Sequence, residues 1–137
     1  MNTPAGYSGT PLWQKLGLKP GQRLLVMDAP KDFEQWLVGA PEGVVRLSRA
    51  APFDAAVLFA TTVRAQETQL ARVLPKFASG GMLWLAWPKK ASGVVSDLSD
   101  DTVRRMGLAA GLVDIKVCAI DPTWSALKFV HRYGRTL

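Results

Sequence analysis

One stretch constrains the fold of this chain more than any other: residues 80–93, which read GGMLWLAWPKKASG. Met82 to Trp87 is an unbroken apolar run, which is typical of a strand covered on both faces of a parallel sheet. A helix is disfavoured because the run is short, Pro88 follows it directly, and the Gly80–Gly81 pair predicts the end of a preceding helix. We therefore predict a central strand, followed by a polar loop where open α/β sheets bind their ligands.

The composition is that of one globular domain. With 137 residues, of which 48% are hydrophobic, the chain can bury a single core over residues 1–137. Residues 1–9 lack periodicity and are predicted to form an extended N-terminal arm. Cys118 is the sole cysteine and His131 the sole histidine, which argues against a disulfide or metal site and favours a reducing cytoplasm. No apolar run approaches the roughly 20 residues of a membrane helix, so we expect a cytoplasmic protein without a membrane partner.

The charge is in the range at which an anionic partner is considered, although a solvated basic surface without a partner is the default interpretation. The net charge is +6 and the isoelectric point is about 9.8, which is in the range of proteins that bind polyanions. The basic residues are nevertheless spread along the whole chain, and they do not form the spacing of an RNA-recognition motif, a helix-turn-helix or a zinc finger. We therefore do not expect sequence-specific nucleic-acid binding, whereas an acidic protein partner stays open.

Turn and cap residues divide the chain into alternating helices and strands. In chain order we predict helix 11–16, strand 23–27, helix 32–37, strand 44–47, strand 55–60, a helix that ends near Leu74 because of Pro75, strand 82–87, a helix starting at Ser99, and strands 113–120 and 124–132. The linker 121–123 is too short for a crossover helix, so the last strand must return antiparallel. The predicted fold class is a three-layer, doubly wound α/β domain with a mostly parallel sheet of about six strands and a C-terminal antiparallel β-hairpin.

Two resemblances agree with this fold. The runs LGLKPGQRLLVMD (16–28), GLVDIKV (111–117) and TWSALKFV (123–130), with the Gly80–Gly81 strand between them, resemble a pared-down S-adenosylmethionine methyltransferase, a Rossmann-like fold. YSGTPL (7–12), WPKKASG (87–93) and VDIKVCAIDPTWSALK (113–128) resemble a short bacterial family with no assigned function. The second resemblance spans nearly the whole chain. It implies the fold and no activity.

The chain departs from the methyltransferase pattern at three places. Met27-Asp28-Ala29-Pro30 follows the first strand, where that family has a glycine-rich loop against the cofactor. Residues 46–49, RLSR, lack the acidic residue that binds the ribose in that family. Ala60-Thr61-Thr62 stands where some of its members have Asn/Asp-Pro-Pro-aromatic. We therefore expect a domain that is not an active methyltransferase, and we do not expect S-adenosylmethionine as its cofactor.

The topology predicts where a ligand would bind, because open α/β sheets bind ligands at the carboxyl ends of their parallel strands. Five segments should converge there. The candidate ligand-binding residues are Tyr7, Ser8, Asp28, Thr61, Trp87, Lys89, Lys90, Ser92, Asp121, Trp124 and Ser125. Each also has a plain structural alternative: solvated lysines, packed tryptophans, and aspartate or serine side chains that hold turns.

Three functions stay open on the sequence. The leading hypothesis is binding of a small anionic or nucleotide-like ligand through Lys89, Lys90 and nearby hydroxyls. The alternative is a non-enzymatic interaction or scaffold protein whose basic surface docks an acidic partner. The third is an enzyme of unrecognised type with Asp28 or Asp121 as its acid/base group. Nucleophilic triad chemistry is not expected, because the one histidine is distant from this edge.

Overall fold

The structure of the chain, a computed structural model, describes residues 10–132, so the predicted N-terminal arm lies outside the described part. The helices are α1 (Leu12–Leu16), α2 (Phe33–Trp36), α3 (Val63–Val73) and α4 (Asp100–Ala109). The strands are β1 (Arg23–Met27), β2 (Val45–Leu47), β3 (Phe53–Phe59), β4 (Phe77–Pro88), β5 (Leu112–Ala119) and β6 (Trp124–His131). Two short 3₁₀ turns, Leu74–Lys76 and Lys90–Ser92, follow α3 and β4.

The six strands form one sheet in the order β2-β1-β3-β4-β6-β5. The first four strands of that order run parallel to one another, while β6 is antiparallel to both β4 and β5. The predicted class, a mostly parallel sheet closed by a C-terminal antiparallel hairpin, is confirmed. The carboxyl ends of the parallel strands and the beginning of β6 meet at one edge, where Pro88 pairs with Trp124.

Two apolar cores cover the two faces of the sheet. On one face α3 and α4 pack on the strands through residues such as Leu85, Val103 and Phe129. On the other face α1 and α2 pack on residues such as Phe59 and Trp84. The indole N–H of Trp84 donates to the carbonyl of Leu16 at 3.2 Å, which satisfies its one polar atom inside the core. This is the predicted three-layer arrangement.

The long helices begin and end where their sequence specifies. Thr62 caps α3, with its hydroxyl accepting the Ala65 N–H at 3.1 Å, and Ser99 forms a capping box with Thr102 at the start of α4. The α-helical part of α3 stops just before the turn that contains Pro75, as predicted from the missing N–H of proline. Within residues 10–132, no helix is long and apolar enough to cross a membrane.

The Gly80–Gly81 pair does not end a helix, contrary to our prediction. Both glycines lie inside β4, which begins at Phe77. A Cβ on Gly81 would lie 2.6 Å from the carbonyl oxygen of Asp54 on β3, and Gly80 has a φ of 81°. The pairing of β3 with β4 is irregular here, so the glycines permit a close approach of two strands instead of a helix cap.

Candidate functional site

A cavity of 460 Å³ opens at the carboxyl end of β1 beside α3. It is lined by Met27, Asp28, Thr62, Arg64, Ala65, Thr68, Gln69 and Arg72. Its volume is within the range of about 300–1,000 Å³ that small-molecule sites occupy. The cavity therefore lies at the predicted edge of the sheet, on the side covered by α3.

Asp28 joins the end of β1 to this helix. Its φ is 56°, and among residues 10–132 it is the one non-glycine residue with a positive φ. Aspartate tolerates this left-handed conformation better than most side chains do. Its Oδ2 accepts a hydrogen bond from Nε2 of Gln69 at 2.8 Å. Such backbone strain is typical of functional sites and here directs an exposed carboxylate to the cavity.

Gln69 is a buried polar residue in the cavity wall, with a relative exposure of 6%. Its Nε2 donates to Asp28 and, at 2.7 Å, to the carbonyl oxygen of Phe59 at the end of β3. Its Oε1 is buried and has no hydrogen-bond partner among the described residues. An unpaired buried oxygen costs about 1–3 kcal/mol. A donor that hydrogen-bonds to this oxygen would remove that cost.

Gln66, one turn earlier on α3, repeats the arrangement without contributing to the cavity lining. Its Nε2 donates to the carbonyl oxygen of Ala86 at 2.9 Å, and its Oε1 is likewise buried without a partner within residues 10–132. The amide nitrogens of the two glutamines thus donate hydrogen bonds to carbonyl oxygens near the carboxyl ends of β3 and β4. Of the two glutamines, only Gln69 lines the cavity.

Two exposed arginines, Arg64 and Arg72, supply positive charge to the cavity. They lie eight residues apart on α3, and neither forms an ion pair in the described part of the chain. The arginines that do form ion pairs are Arg23, Arg46, Arg104 and Arg105. Guanidinium groups without a carboxylate partner are suited to binding phosphate or carboxylate.

A second group of predicted residues meets where β4 and β6 adjoin. Trp87 pairs with Ser125 in the sheet, and the Lys89 N–H donates to the carbonyl oxygen of Thr123 at 2.7 Å. Trp87 is buried in the core beneath α3 and α4. Trp124 is half-buried, and its ring meets the ring of Phe59 edge-on at 5.1 Å. The tryptophans therefore contribute mainly packing.

The polar side chains of this second group hold their own turns. Ser92 Oγ donates to the carbonyl oxygen of Lys89 at 2.6 Å and accepts the Val94 N–H. Asp121 Oδ1 accepts the N–H groups of Thr123 and Trp124 at 2.9 and 2.7 Å. These contacts are the ordinary chemistry of Asx and serine turns.

The remaining predicted residues are placed as follows. Lys90 is exposed at the start of the 3₁₀ turn. Thr61 is half-buried and immediately precedes the residue that caps α3. Tyr7 and Ser8 lie outside the described residues. The structure thus divides the candidates between the cavity, to which Asp28 belongs, and the separate end of β4 and β6.

Several positive charges surround Cys118, and Lys89 is one of them. Burial raises the pKa of the Cys118 thiol, and the positive charges of Lys15, Lys116 and Lys89 oppose this rise. Cys118 packs against the core beneath α1 and α2. Lys89 therefore lies within electrostatic range of Cys118, whereas it is not among the residues that line the cavity beside α3.

The sequence analysis missed Gln69, Arg64 and Arg72. Only the apolar stripe of α3 was used to predict its packing, and these three residues are polar side chains within and beside that stripe. A signal was present, because Gln69 directly precedes the core residue Leu70, and Arg64, Thr68 and Arg72 recur every four residues along one helix face.

The described residues also define what the site does not contain. Within residues 10–132, no group of three or more His, Cys, Asp or Glu side chains could hold a metal ion. His131 lies away from the cavity, with its Nε2 2.9 Å from the carbonyl oxygen of Phe77 and its ring 4.1 Å from the Phe77 ring. The chemistry of the cavity therefore rests on one carboxylate, two guanidinium groups, an amide and two hydroxyls.

Comparison with known proteins identifies the fold. No known protein-family profile and no curated protein sequence matches the chain. Among solved structures, it is similar to the N-methyltransferase NodS from Bradyrhizobium japonicum, with 13% identity, a TM-score of 0.53, and coverage of 85% of this chain and 90% of that one. It is also similar to a TehB-like SAM-dependent methyltransferase from Corynebacterium glutamicum, with 9% identity, a TM-score of 0.54, and coverage of 88% and 85%.

A third similar structure contains a bound molecule. It is magnesium protoporphyrin IX methyltransferase from Synechocystis with bound SAH, with 7% identity, a TM-score of 0.55, and coverage of 82% of this chain and 75% of that one. At such low identities the likeness establishes the fold alone. The chain has a Rossmann-like α/β fold similar to that of these methyltransferases, as the sequence resemblance implied.

These likenesses correct one of our expectations. We did not expect S-adenosylmethionine as a cofactor, because the glycine loop after β1 and the carboxylate after β2 are missing. The three similar structures are methyltransferases, of which one is described as SAM-dependent and another holds SAH. That expectation was wrong, because the chain shares its fold with proteins that use or hold this cofactor and its product, and the local departures do not outweigh the shared fold.

Proposed function

We propose that this chain is a methyltransferase-like domain that binds a small, nucleotide-like molecule bearing an anionic group in the cavity beside α3. The observation that carries the proposal is the buried, unpartnered Oε1 of Gln69 in the wall of a cavity that two unpaired arginines also line. A buried acceptor without a donor is costly to folding. A ligand that supplies the donor offsets this cost.

Four polar side chains of the cavity can each pair with a chemical group that such a ligand carries. The guanidinium groups of Arg64 and Arg72 suit a phosphate or carboxylate. The Asp28 carboxylate suits a sugar hydroxyl or an ammonium group, and Oε1 of Gln69 suits an N–H donor. S-adenosylmethionine carries a carboxylate, an ammonium group and ribose hydroxyls, so it belongs among the ligands to be tested.

The proposed role is binding without methyl transfer. Ala29 and Pro30 follow Asp28 directly, so the turn after β1 has the fixed φ of a proline where the resembled methyltransferases have flexible glycines. Lys89, which the sequence suggested as an anion contact, lies near Cys118 and does not line this cavity, so it is not part of the proposed site.

The test is a thermal-shift and calorimetric screen of the purified chain against S-adenosylmethionine, SAH, ATP, NAD and sugar phosphates. A ligand at 100 times its Kd stabilises the folded state by about 2.7 kcal/mol, which raises Tm by several degrees. We expect one class of ligand to give such a shift, and we expect Arg64→Gln/Arg72→Gln to abolish it. The control, Arg49→Gln/Arg132→Gln, removes the same charge from two other exposed arginines and should retain the shift.

Three results would count against the proposal. A shift that survives in Arg64→Gln/Arg72→Gln but disappears in Lys89→Ala/Lys90→Ala would move the site to the β4–β6 loops. The absence of any shift across the panel would refute ligand binding of this kind. Transfer of label from methyl-labelled S-adenosylmethionine to any acceptor, dependent on the cavity arginines, would refute the non-catalytic role.

A further inference from the structure

We propose that five lysines on the α1 side of the sheet form a second binding surface, one that holds the phosphodiester backbone of a nucleic acid irrespective of its base sequence. We call this surface the lysine face. It consists of Lys15, Lys19, Lys89, Lys116 and Lys128. None of these lysines lines the cavity, so the lysine face can be tested independently of the proposed ligand site.

The centre of the lysine face is a pair of like charges. Lys116 on β5 is directly opposite Lys128 on β6 in the antiparallel ladder. Cys118 and Ala126, two residues away along these strands, pack toward α1, so strand alternation puts both lysines on the α1 side. Opposite residues have Cβ atoms only about 4.5–5.5 Å apart, and like charges at that spacing are destabilising.

Three further lysines surround this pair. Lys15 on α1 donates from Nζ to the carbonyl oxygen of Ala119, the last residue of β5, at 2.7 Å. Burial lowers the pKa of Lys128, and the charges of Lys116 and Lys19 lower it further. Burial raises the pKa of the Cys118 thiol and the charge of Lys89 opposes this rise, so the loop after β4 lies in the same region. Separate segments of the chain thus converge on one positive surface.

The positive charge of this surface is not neutralised by the rest of the described chain. The ion pairs join Arg23 to Asp54, Arg46 to Glu34, Arg104 to Asp100 and Asp114, and Arg105 to Asp101. All of them involve arginines, and none of the five lysines forms an ion pair within residues 10–132. A repulsive cluster of this kind lowers stability unless an external anion compensates it.

The residue type favours phosphate over an acidic protein. Lysine is a compact, mobile point charge that binds phosphate without the fixed geometry of arginine. Protein–protein interfaces are instead depleted in lysine and enriched in tyrosine, tryptophan and arginine. The half-buried Trp13 and Trp124 on this side pack against the core, and the five lysines supply only charge, so we assign the lysine face to backbone contacts, which are independent of sequence.

The test compares two variants of equal net charge by fluorescence anisotropy with a labelled single-stranded RNA of mixed sequence. Lys116→Gln/Lys128→Gln removes the central pair, and Lys31→Gln/Lys76→Gln removes two exposed lysines elsewhere. We expect binding at least about tenfold weaker in the first variant and close to wild type in the second. The dependence of log K on log salt should become shallower by about 1.4 in the first variant, at about 0.7 per lost phosphate contact.

Several outcomes would overturn the proposal. Equal weakening of RNA binding in both variants would show a general effect of net charge. The absence of measurable RNA binding by the wild type at low salt would refute the proposed role of the lysine face. Binding of polyglutamate as tight as that of RNA would assign the surface to an acidic protein instead. Thermal denaturation of both variants guards against misfolding, because Lys116→Gln/Lys128→Gln relieves repulsion and should be at least as stable as wild type.

Discussion

Replacement of Lys116 by glutamate should make this protein more stable while it weakens binding to polyanions. Most single substitutions are destabilising, so an increase in the free energy of unfolding would be a distinctive result. The physical reason is the position of Lys116 directly opposite Lys128 in the β5–β6 ladder. Glutamate at that position converts a repulsive cross-strand pair into an attractive one.

The magnitude follows from Coulomb's law. Two unit charges about 6 Å apart interact by about 0.7 kcal/mol in water, so reversing one sign changes the energy by about 1.4 kcal/mol. Screening at physiological salt, with a Debye length of about 8 Å, reduces this to about 0.5–1 kcal/mol. Lys128 is half-buried, so its charge is less well screened than that of a fully exposed side chain. For a chain of this size, we expect Tm to rise by about 2–5 °C.

The assay is thermal and urea denaturation of wild type, Lys116→Glu and Lys31→Glu in low salt and in 1 M NaCl. Lys31→Glu makes the same change in net charge at an exposed position outside the lysine face, so it measures the contribution of net charge alone. The gain of Lys116→Glu over this control should largely disappear in 1 M NaCl, where the Debye length is about 3 Å. A loss of stability in low salt, or a gain that salt does not change, would refute the reasoning.

Two further predictions concern the packing of the core and a partly exposed ion pair between β1 and β3. Gly107→Ala should lower the free energy of unfolding by about 1–2 kcal/mol in urea denaturation. The added Cβ would lie 2.0 Å from the buried ring of Phe129, and this overpacking outweighs the gain in helix propensity. A variant more stable than wild type would contradict this packing. The Arg23 guanidinium lowers the pKa of Asp54, so this pair stabilises the fold above the unfolded carboxyl pKa of about 3.9, and the stabilisation is lost as the pH falls through the lower folded value. Asp54→Asn should therefore have a lower Tm than wild type at neutral pH and a similar Tm in strong acid, and a difference that does not change with pH would show that the ion pair contributes nothing.

The architecture was predictable because its signals are local. Each buried parallel strand is a short apolar run, and Pro75 ends its helix through its own missing N–H. The linker 121–123 is too short to cross the sheet, so it dictates the antiparallel hairpin. From these signals follow the alternation of elements, the mixed sheet and the edge at which Asp28 lies.

The errors and omissions concern residues whose role depends on a distant partner. Gly80 and Gly81 have the sequence of a helix stop. The structure instead needs glycine at position 81, because any Cβ there would clash with the carbonyl oxygen of Asp54 on the neighbouring strand. Gln69 looks like an ordinary polar helix residue until packing against β3 buries it and leaves its Oε1 without a partner. No local pattern contains such information.

The sequence by itself determined the order of the elements, the hairpin and the excess of positive charge, since these depend on neighbours along the chain. The tertiary structure decided which charges meet. Lys116 and Lys128 become opposite only when the turn between β5 and β6 fixes the register of the two strands. Arg64 and Arg72 acquire a cavity only when α3 packs beside the end of β1. Both surfaces depend on distances through space, which hydrophobic periodicity does not specify.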